Sequence, residues 1–166
     1  MSEQAERLAQ RLEQANRQLI ALIEACSADD WRKFVEKEGR TVGVVAHHVG
    51  AAYLVETELI EGLARGTNIP ALNWHTIDEM NANHAQQHAR PTREETVELL
   101  RRNSQIAIRC IRDLDDAQLQ RRSRLPFMGD EPVSTQELIE QAVIGHVHGH
   151  RRSIEAVMER RMPVKT

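Results

Sequence analysis

The stretch "IGHVHGHRRS", residues 144 to 153, sets three histidines at alternate positions, His146, His148 and His150. Imidazole is the side chain most used to hold metals, so such a run points first to a divalent ion. How many of the three can serve one ion depends on the backbone. On a strand, side chains alternate and all three share a face. On a helix each position advances by about 100°, so His146 and His150 share a face and His148 points away. Five more histidines accompany them: the doublet His47 and His48, His75 after Trp74, and His84 and His88 in "HAQQH".

The elements around these residues read as helices. Leu8, Leu12, Ala15, Leu19 and Leu22 recur at spacings of four and three, with Glu, Gln and Arg between them, which predicts a helix over about 3–26. Ser27 to Arg40 is a charged connection around "DDWRKF", where Trp31 and Phe34 are expected to fold back onto the core. Thr41 starts a second helix, with Val45, His48, Ala52, Val55 and Leu59 along one side, ending near Gly66. "GTNIPALN" reads as a loop. Thr76 with Glu79 has the spacing of a capping box and opens a short helix to about Ala89; Thr92 with Glu95 opens another, to about Leu114, with Val97, Leu100, Ile108, Ile111 and Leu114 as its apolar positions. Residues 115–133 contain "PFMGDEPV", a turn-rich loop. Ser134 with Glu137 caps a last helix over 135 to about 161, which Pro163 stops.

No segment alternates with period two, and only 3% of residues are aromatic, so strands are not expected. The sequence therefore predicts an all-α, up-and-down bundle of four long helices with one short extra helix, as a single domain over 1–166.

With helices established, the histidines divide. The inward stripe of the last helix reads Ile139, Val143, His146, His150, Ile154 (or Ser153) and Val157, while His148 falls on a polar face with Gln141, Arg152 and Glu155. His48 lies on the apolar stripe of the second helix. An unsatisfied buried imidazole nitrogen costs on the order of 1–3 kcal/mol, so three facing one interior are more economically explained by a shared ligand. A histidine pair at i and i+4 suits two adjacent positions on one ion, and a third from a facing helix leaves the remaining positions open. Three neutral imidazoles suit Zn, Ni, Fe, Co or Mn. His84 and His88 have the same spacing, but Asn81, Asn83, Gln86 and Gln87 surround them, so a solvated face is expected there.

Bulk properties narrow the partners. A chain of 166 residues, 40% hydrophobic and 28% charged, is long enough to bury a core. With a net charge of −3 and a pI near 6.2 it has no sustained basic patch for nucleic acid. The polar amphipathic start and the lack of an apolar run near 18 residues lead us to expect a soluble, cytoplasmic protein with no membrane association. Cys26 and Cys110 form no CxxC pattern and are expected to be buried thiols.

"TVGVVAHHVGAAYLVE" and "STQELIEQAVIGHVHGHRRSI" resemble the second-helix and last-helix motifs of the DinB/YfiT-like metalloenzyme superfamily, and the resemblance covers essentially the whole chain. It implies that His48, His146 and His150 are the metal ligands. In that family a small residue precedes the helix-two ligand and an aliphatic one follows; Val49 fits the second role, and His47 stands where the small residue is expected. The superfamily is similar to bacillithiol- and mycothiol-dependent S-transferases, which implies a low-molecular-weight thiol cosubstrate.

Two functions follow. In one, a divalent ion held by the three histidines activates a thiol or a water for attack on a small-molecule substrate, giving an S-transferase or a hydrolase. No catalytic base can be assigned, although His47, His75 or His148 could shuttle protons. In the other, the chain is a non-catalytic stress-response metal-binding bundle, or a structural or interaction bundle. A homodimer through helix faces is expected in either.

Overall fold

The structure, a computed structural model, describes residues 1–159. Ser2 caps α1 (Glu3–Glu24) by accepting from the Ala5 amide, and Ser27 closes a capping box on the short α2 (Ala28–Arg32). A ribbon of β1 (Phe34–Val35) and β2 (Arg40–Thr41) follows, its turn completed by Gly39 at φ +67°. Thr41 then caps α3 (Val42–Arg65), which ends on Gly66 in the left-handed conformation, φ 72°. After the loop come α4 (Trp74–Gln87) and α5 (Arg93–Arg112), the latter capped by Thr92. The 115–133 segment is not plain loop. It holds α6 (Asp116–Gln120), β3 (Arg122–Ser123) and a 3-10 turn at Pro126–Met128, and β3 pairs with β4 (Val133–Ser134). Ser134 and Glu137 form the predicted capping box on α7 (Thr135–Leu138). A π-helical segment, Ile139–Ile144, leads from it into α8 (Gly145–Glu159). The predicted end of the last helix, residues 160 and 161, and its stop at Pro163 lie outside the described residues.

The fold is an all-α helical bundle, with α1, α3, α5 and the α7–α8 run as its four long members. Side-chain contacts give the directions. Arg112 pairs with Glu6 at 2.7 Å and Arg101 with Glu24 at 3.3 Å, so α1 and α5 are antiparallel. Asn103 donates to the Gly50 carbonyl at 2.9 Å towards the middle of both α3 and α5, while Cys110 feels Glu61 and Arg65 near their ends, so these two run the same way. The connection through residues 66–92, α4 included, is long enough to return the chain to its starting end, a path that hydrophobic periodicity does not encode. Arg11 meets Glu140 at 2.8 Å and Arg151 meets Gln18 at 2.9 Å, which puts the last helix alongside α1 in parallel.

The core joins Leu8, Leu12, Leu19 and Ile23 of α1, Val45, Val49, Tyr53 and Ile60 of α3, Leu100, Ile108 and Ile111 of α5, and Ile139, Val143 and Val147 of the last helix. A buried polar seam crosses it. Tyr53 donates to Asn16 Oδ1 at 2.8 Å, and Asn16 donates to Ser104 Oγ at 3.1 Å. Three helices are thereby held in one register without an orphaned donor on the asparagine.

Four local readings need correcting. Trp31 packs on the core and donates to the Pro91 carbonyl at 2.8 Å, but Phe34 is 58% exposed and does not fold back. Asn73, not Thr76, caps α4, because its side chain accepts from the Thr76 amide at 2.9 Å. Of the cysteines, Cys26 is buried and Cys110 half-buried; burial pushes the Cys110 thiol up to about 12. The last helix is also not one continuous α-helix. The π segment adds a residue to a turn and rotates the faces downstream. Val147, at 0% exposure, takes the core-facing position, and His146 and His150 fall on the flank of the seam rather than in its middle.

Candidate metal centre

Helix α3 brings His48 to the face that meets α8, where His146 and His150 lie one turn apart. One nitrogen from each of the three comes within 4.8 Å of the other two. Nε2 of His48 and Nε2 of His146 are 3.0 Å apart, and the His146 and His150 rings meet edge-on with centroids 4.5 Å apart.

Carboxylates back two of the rings. His150 Nδ1 is hydrogen-bonded to Glu38 Oε1 at 3.0 Å, which leaves its Nε2 for another partner. Glu38 Oε2 is bound in turn by Arg40 at 3.1 Å. Glu56 Oε1 lies 2.8 Å from His146 Nδ1, off the line of a straight hydrogen bond, and Glu56 Oε2 is buried without a partner. Histidine ligands characteristically lean on carboxylates in this way, which fixes the tautomer and the ring orientation.

Burial works to raise the Glu38 carboxyl, but the hydrogen bond and charge of His150, with Ser153 and Arg40, outweigh it and hold the group at about 2. Burial raises the Glu56 carboxyl, with His146 partly opposing. Burial is also the main reason that His48 and His150 titrate below the usual imidazole range; the neighbouring rings add to this in both, and Glu38 resists it at His150. Neutral imidazoles are the form that a metal needs.

The three nitrogens open onto a pocket of about 770 Å³. Its walls are mostly apolar, with Ala52 and Val55 of α3, Met80 of α4 and Met128 among them, and its mouth carries Trp74 edge-on to Phe127, centroids 6.4 Å apart at 89°.

The other histidines are distributed unevenly. His148 faces away, half-buried near Arg11, Arg151 and Arg152. His75 is 82% exposed, its ring 3.3 Å from Glu79 and outside the pocket. His47 is buried, with Nδ1 2.8 Å from His84 Nε2, and the His88 ring stacks on it at 4.3 Å. The solvated face expected for His84 and His88 holds for the exposed His88 and fails for His84. His84 lines the pocket and His88, though exposed, is engaged by a ring.

Glu38, Arg40 and Glu56 did not emerge from the sequence. Glu56 carried a faint signal, as an acid in the apolar run of α3 two turns beyond His48. Glu38 carried none, because it is placed by a turn and meets a histidine 112 positions away.

These titrations give a signed pH dependence. Burial, the His47 and His88 rings and Arg40 lower His84 from 6.5 to about 4, and burial also lowers His47 and His48. An unfolded chain takes up these protons near pH 6.5 and the folded chain only further down, so stability falls as pH drops below 6.5. Glu38, whose pKa is depressed, adds its own loss only as pH falls from about 4.5 towards 2. The melting temperature of chelator-treated protein should therefore decline between pH 6.5 and 4, and less steeply in His84→Gln. A flat profile across that window would contradict the assignment.

A helical bundle with a three-histidine cluster at the floor of a pocket between α3 and α8 is the class that fold and site define. The chain belongs to the DinB superfamily, whose family model matches residues 11–154. A solved structure of an uncharacterized protein from Clostridium difficile 630 is similar in fold, with TM-score 0.73 and 15% identity over 98% of this chain and 99% of that one. No curated protein matches this chain. Among the described residues no helix is long and apolar enough to cross a membrane.

Proposed function

We propose that the chain is a divalent-metal-dependent enzyme in which His48, His146 and His150 hold one ion, and that it transfers a low-molecular-weight thiol to an electrophile or hydrolyses a small molecule. The observation that carries this is the convergence of three imidazoles, one backed by the half-buried Glu38 and one by the buried Glu56, on the floor of an apolar pocket. The donor set fits Zn, Ni, Fe, Co or Mn, and Glu56 beside Nδ1 of His146 leaves that ring's Nε2 for coordination. A divalent ion bound there lowers the pKa of a thiol or water and makes it a nucleophile near neutral pH.

The chain's own residues do the rest. Glu38 accepts the Nδ1 proton of His150 and is itself held by Arg40, so that ring cannot turn its Nε2 away. Glu56 restrains His146 by its close contact at Nδ1, 2.8 Å away, without a straight hydrogen bond. Apolar walls keep bulk water from the floor, and Trp74 with Phe127 offers a surface for an apolar substrate body. A proton shuttle is not assigned. His148 faces the far side and His75 is out in solvent, while His47 is turned towards His84. The same reading takes the chain as one domain and as a cytoplasmic homodimer, which sedimentation of the purified protein checks.

The test is metal content and thiol transfer together. Protein purified without an affinity tag should carry close to one equivalent of divalent metal at this site, and Zn²⁺, Ni²⁺ or Mn²⁺ should raise the melting temperature of stripped protein. A screen of bacillithiol, mycothiol and glutathione against epoxides, halides and activated alkenes should then find turnover that a chelator removes. No bound metal and no thermal response would end the metal reading. Bound metal without any turnover would favour the non-catalytic one.

A further inference from the structure

We propose that His47, His84 and His88 form a second site for a borderline divalent cation such as Zn²⁺, and that this cation fastens α4 over the pocket. Helix α4 has no buried residue of its own, yet Trp74, Ile77, Met80, Asn81 and His84 from it line the pocket. Against α3, imidazole rings meet: His84 lies beside both His47 and His48. His84 Nε2 is 2.8 Å from His47 Nδ1, and the His84 and His88 ring centroids lie 5.0 and 4.3 Å from that of His47.

The donor pattern resembles the first cluster: a pair at i and i+4, His84 on α4 and His88 as the residue that ends it, and one histidine from α3. A separation of 2.8 Å is close to the roughly 3 Å between adjacent nitrogens on one ion at metal–nitrogen bonds of about 2.0–2.1 Å. His88 completes the set by rotation about its side-chain bonds, since it is exposed and its ring now lies stacked, 26° from the plane of His47.

A purely hydrogen-bonded role explains the cluster less well. One imidazole N–H then serves two rings, and His84 Nδ1 is buried with no partner, so three polar rings gather for a single bond. Of the charged groups nearby, Glu95 of α5 favours a cation at His47, and Arg40 disfavours one at His84. Among the described residues no carboxylate is hydrogen-bonded to any of these rings, in contrast to Glu38 on His150. The second site is therefore the weaker of the two.

Calorimetric titration of tag-free, chelator-stripped protein with Zn²⁺ tests this. Two classes of about one equivalent each are expected, the second at least ~10-fold weaker. His88→Ala and His84→Ala should each abolish the weaker class and spare the tighter, and His146→Ala should do the reverse. Because His88 is exposed, its replacement does not threaten the fold. Filling the weaker class should slow amide hydrogen exchange in α4 of the wild type but not of His88→Ala. One class alone in the wild type, if it survives both His84→Ala and His88→Ala, overturns the second site. So does a weaker class that persists in both variants. A weaker class lost in His88→Ala with no tighter class in any protein would uphold the second site while removing the proposed function.

Discussion

Tag-free protein carrying His48→Ala or His150→Ala is expected to lose the metal of the three-histidine site, while His148→Ala keeps it. The contrast follows from faces, not from residue type, since all three side chains are imidazoles. His48 and His150 turn a nitrogen into the cluster, with ring centroids 5.1 Å apart. His148 is on the opposite side of α8, among arginines that disfavour a cation. Losing a ligand should weaken binding by more than the roughly 10–100-fold that losing an outer hydrogen-bond partner costs. Elemental analysis after dialysis against a weak chelator reads the difference, with Glu38→Gln expected to fall between the two groups. Equal metal loss in all three alanine variants would sink the assignment of faces.

Leu100→Ala is expected to be the most damaging single change to stability, at about 2–5 kcal/mol. Leu100 has 0% exposure, and its carbonyl accepts from Asn16 of α1 at 3.4 Å. It also lies where α3 comes closest. A Cβ built on Gly50 would be 3.3 Å from the Leu100 amide nitrogen and 3.1 Å from Leu99 Cγ. Backbones this close cannot move in to refill a void, so the cavity term stays large. For a chain of this size the loss corresponds to a fall in melting temperature of roughly 4–20 °C. Leu54→Ala, on the outer face of α3 at 45% exposure, should change it little, and near-equal effects would show the packing argument to be mistaken.

Much of this architecture was legible because it is periodic. The leucine stripe of α1, the Thr41 cap and Gly66 end of α3, and the Thr92 and Ser134 starts rest on local rules, and those elements begin and end close to the predicted residues. His48, His146 and His150 come together for the same reason, as helix positions fix side-chain direction. What escaped was non-periodic or non-local. The π segment defeats a count based on 3.6 residues per turn, which is why Val147 was not read as core. Glu38 is aimed by a turn, and its partner is on another element. His84 turns towards the pocket although its own helix is polar, and His88 meets a ring although it is exposed. The group that receives them, His47, belongs to α3, and no single-helix pattern reveals a facing surface.

The separation of the site's parts along the chain has a thermodynamic consequence. His48 and His146 are 98 positions apart, and Glu38 reaches His150 across 112. A hairpin or helix pair formed early cannot assemble such a site, and only the fully closed bundle presents it. An ion with that preference binds the native state and leaves partly folded chains alone, so mass action adds about 1.4 kcal/mol of stability for each tenfold excess over its dissociation constant. Metal supply would then set the fraction of the protein that stays folded.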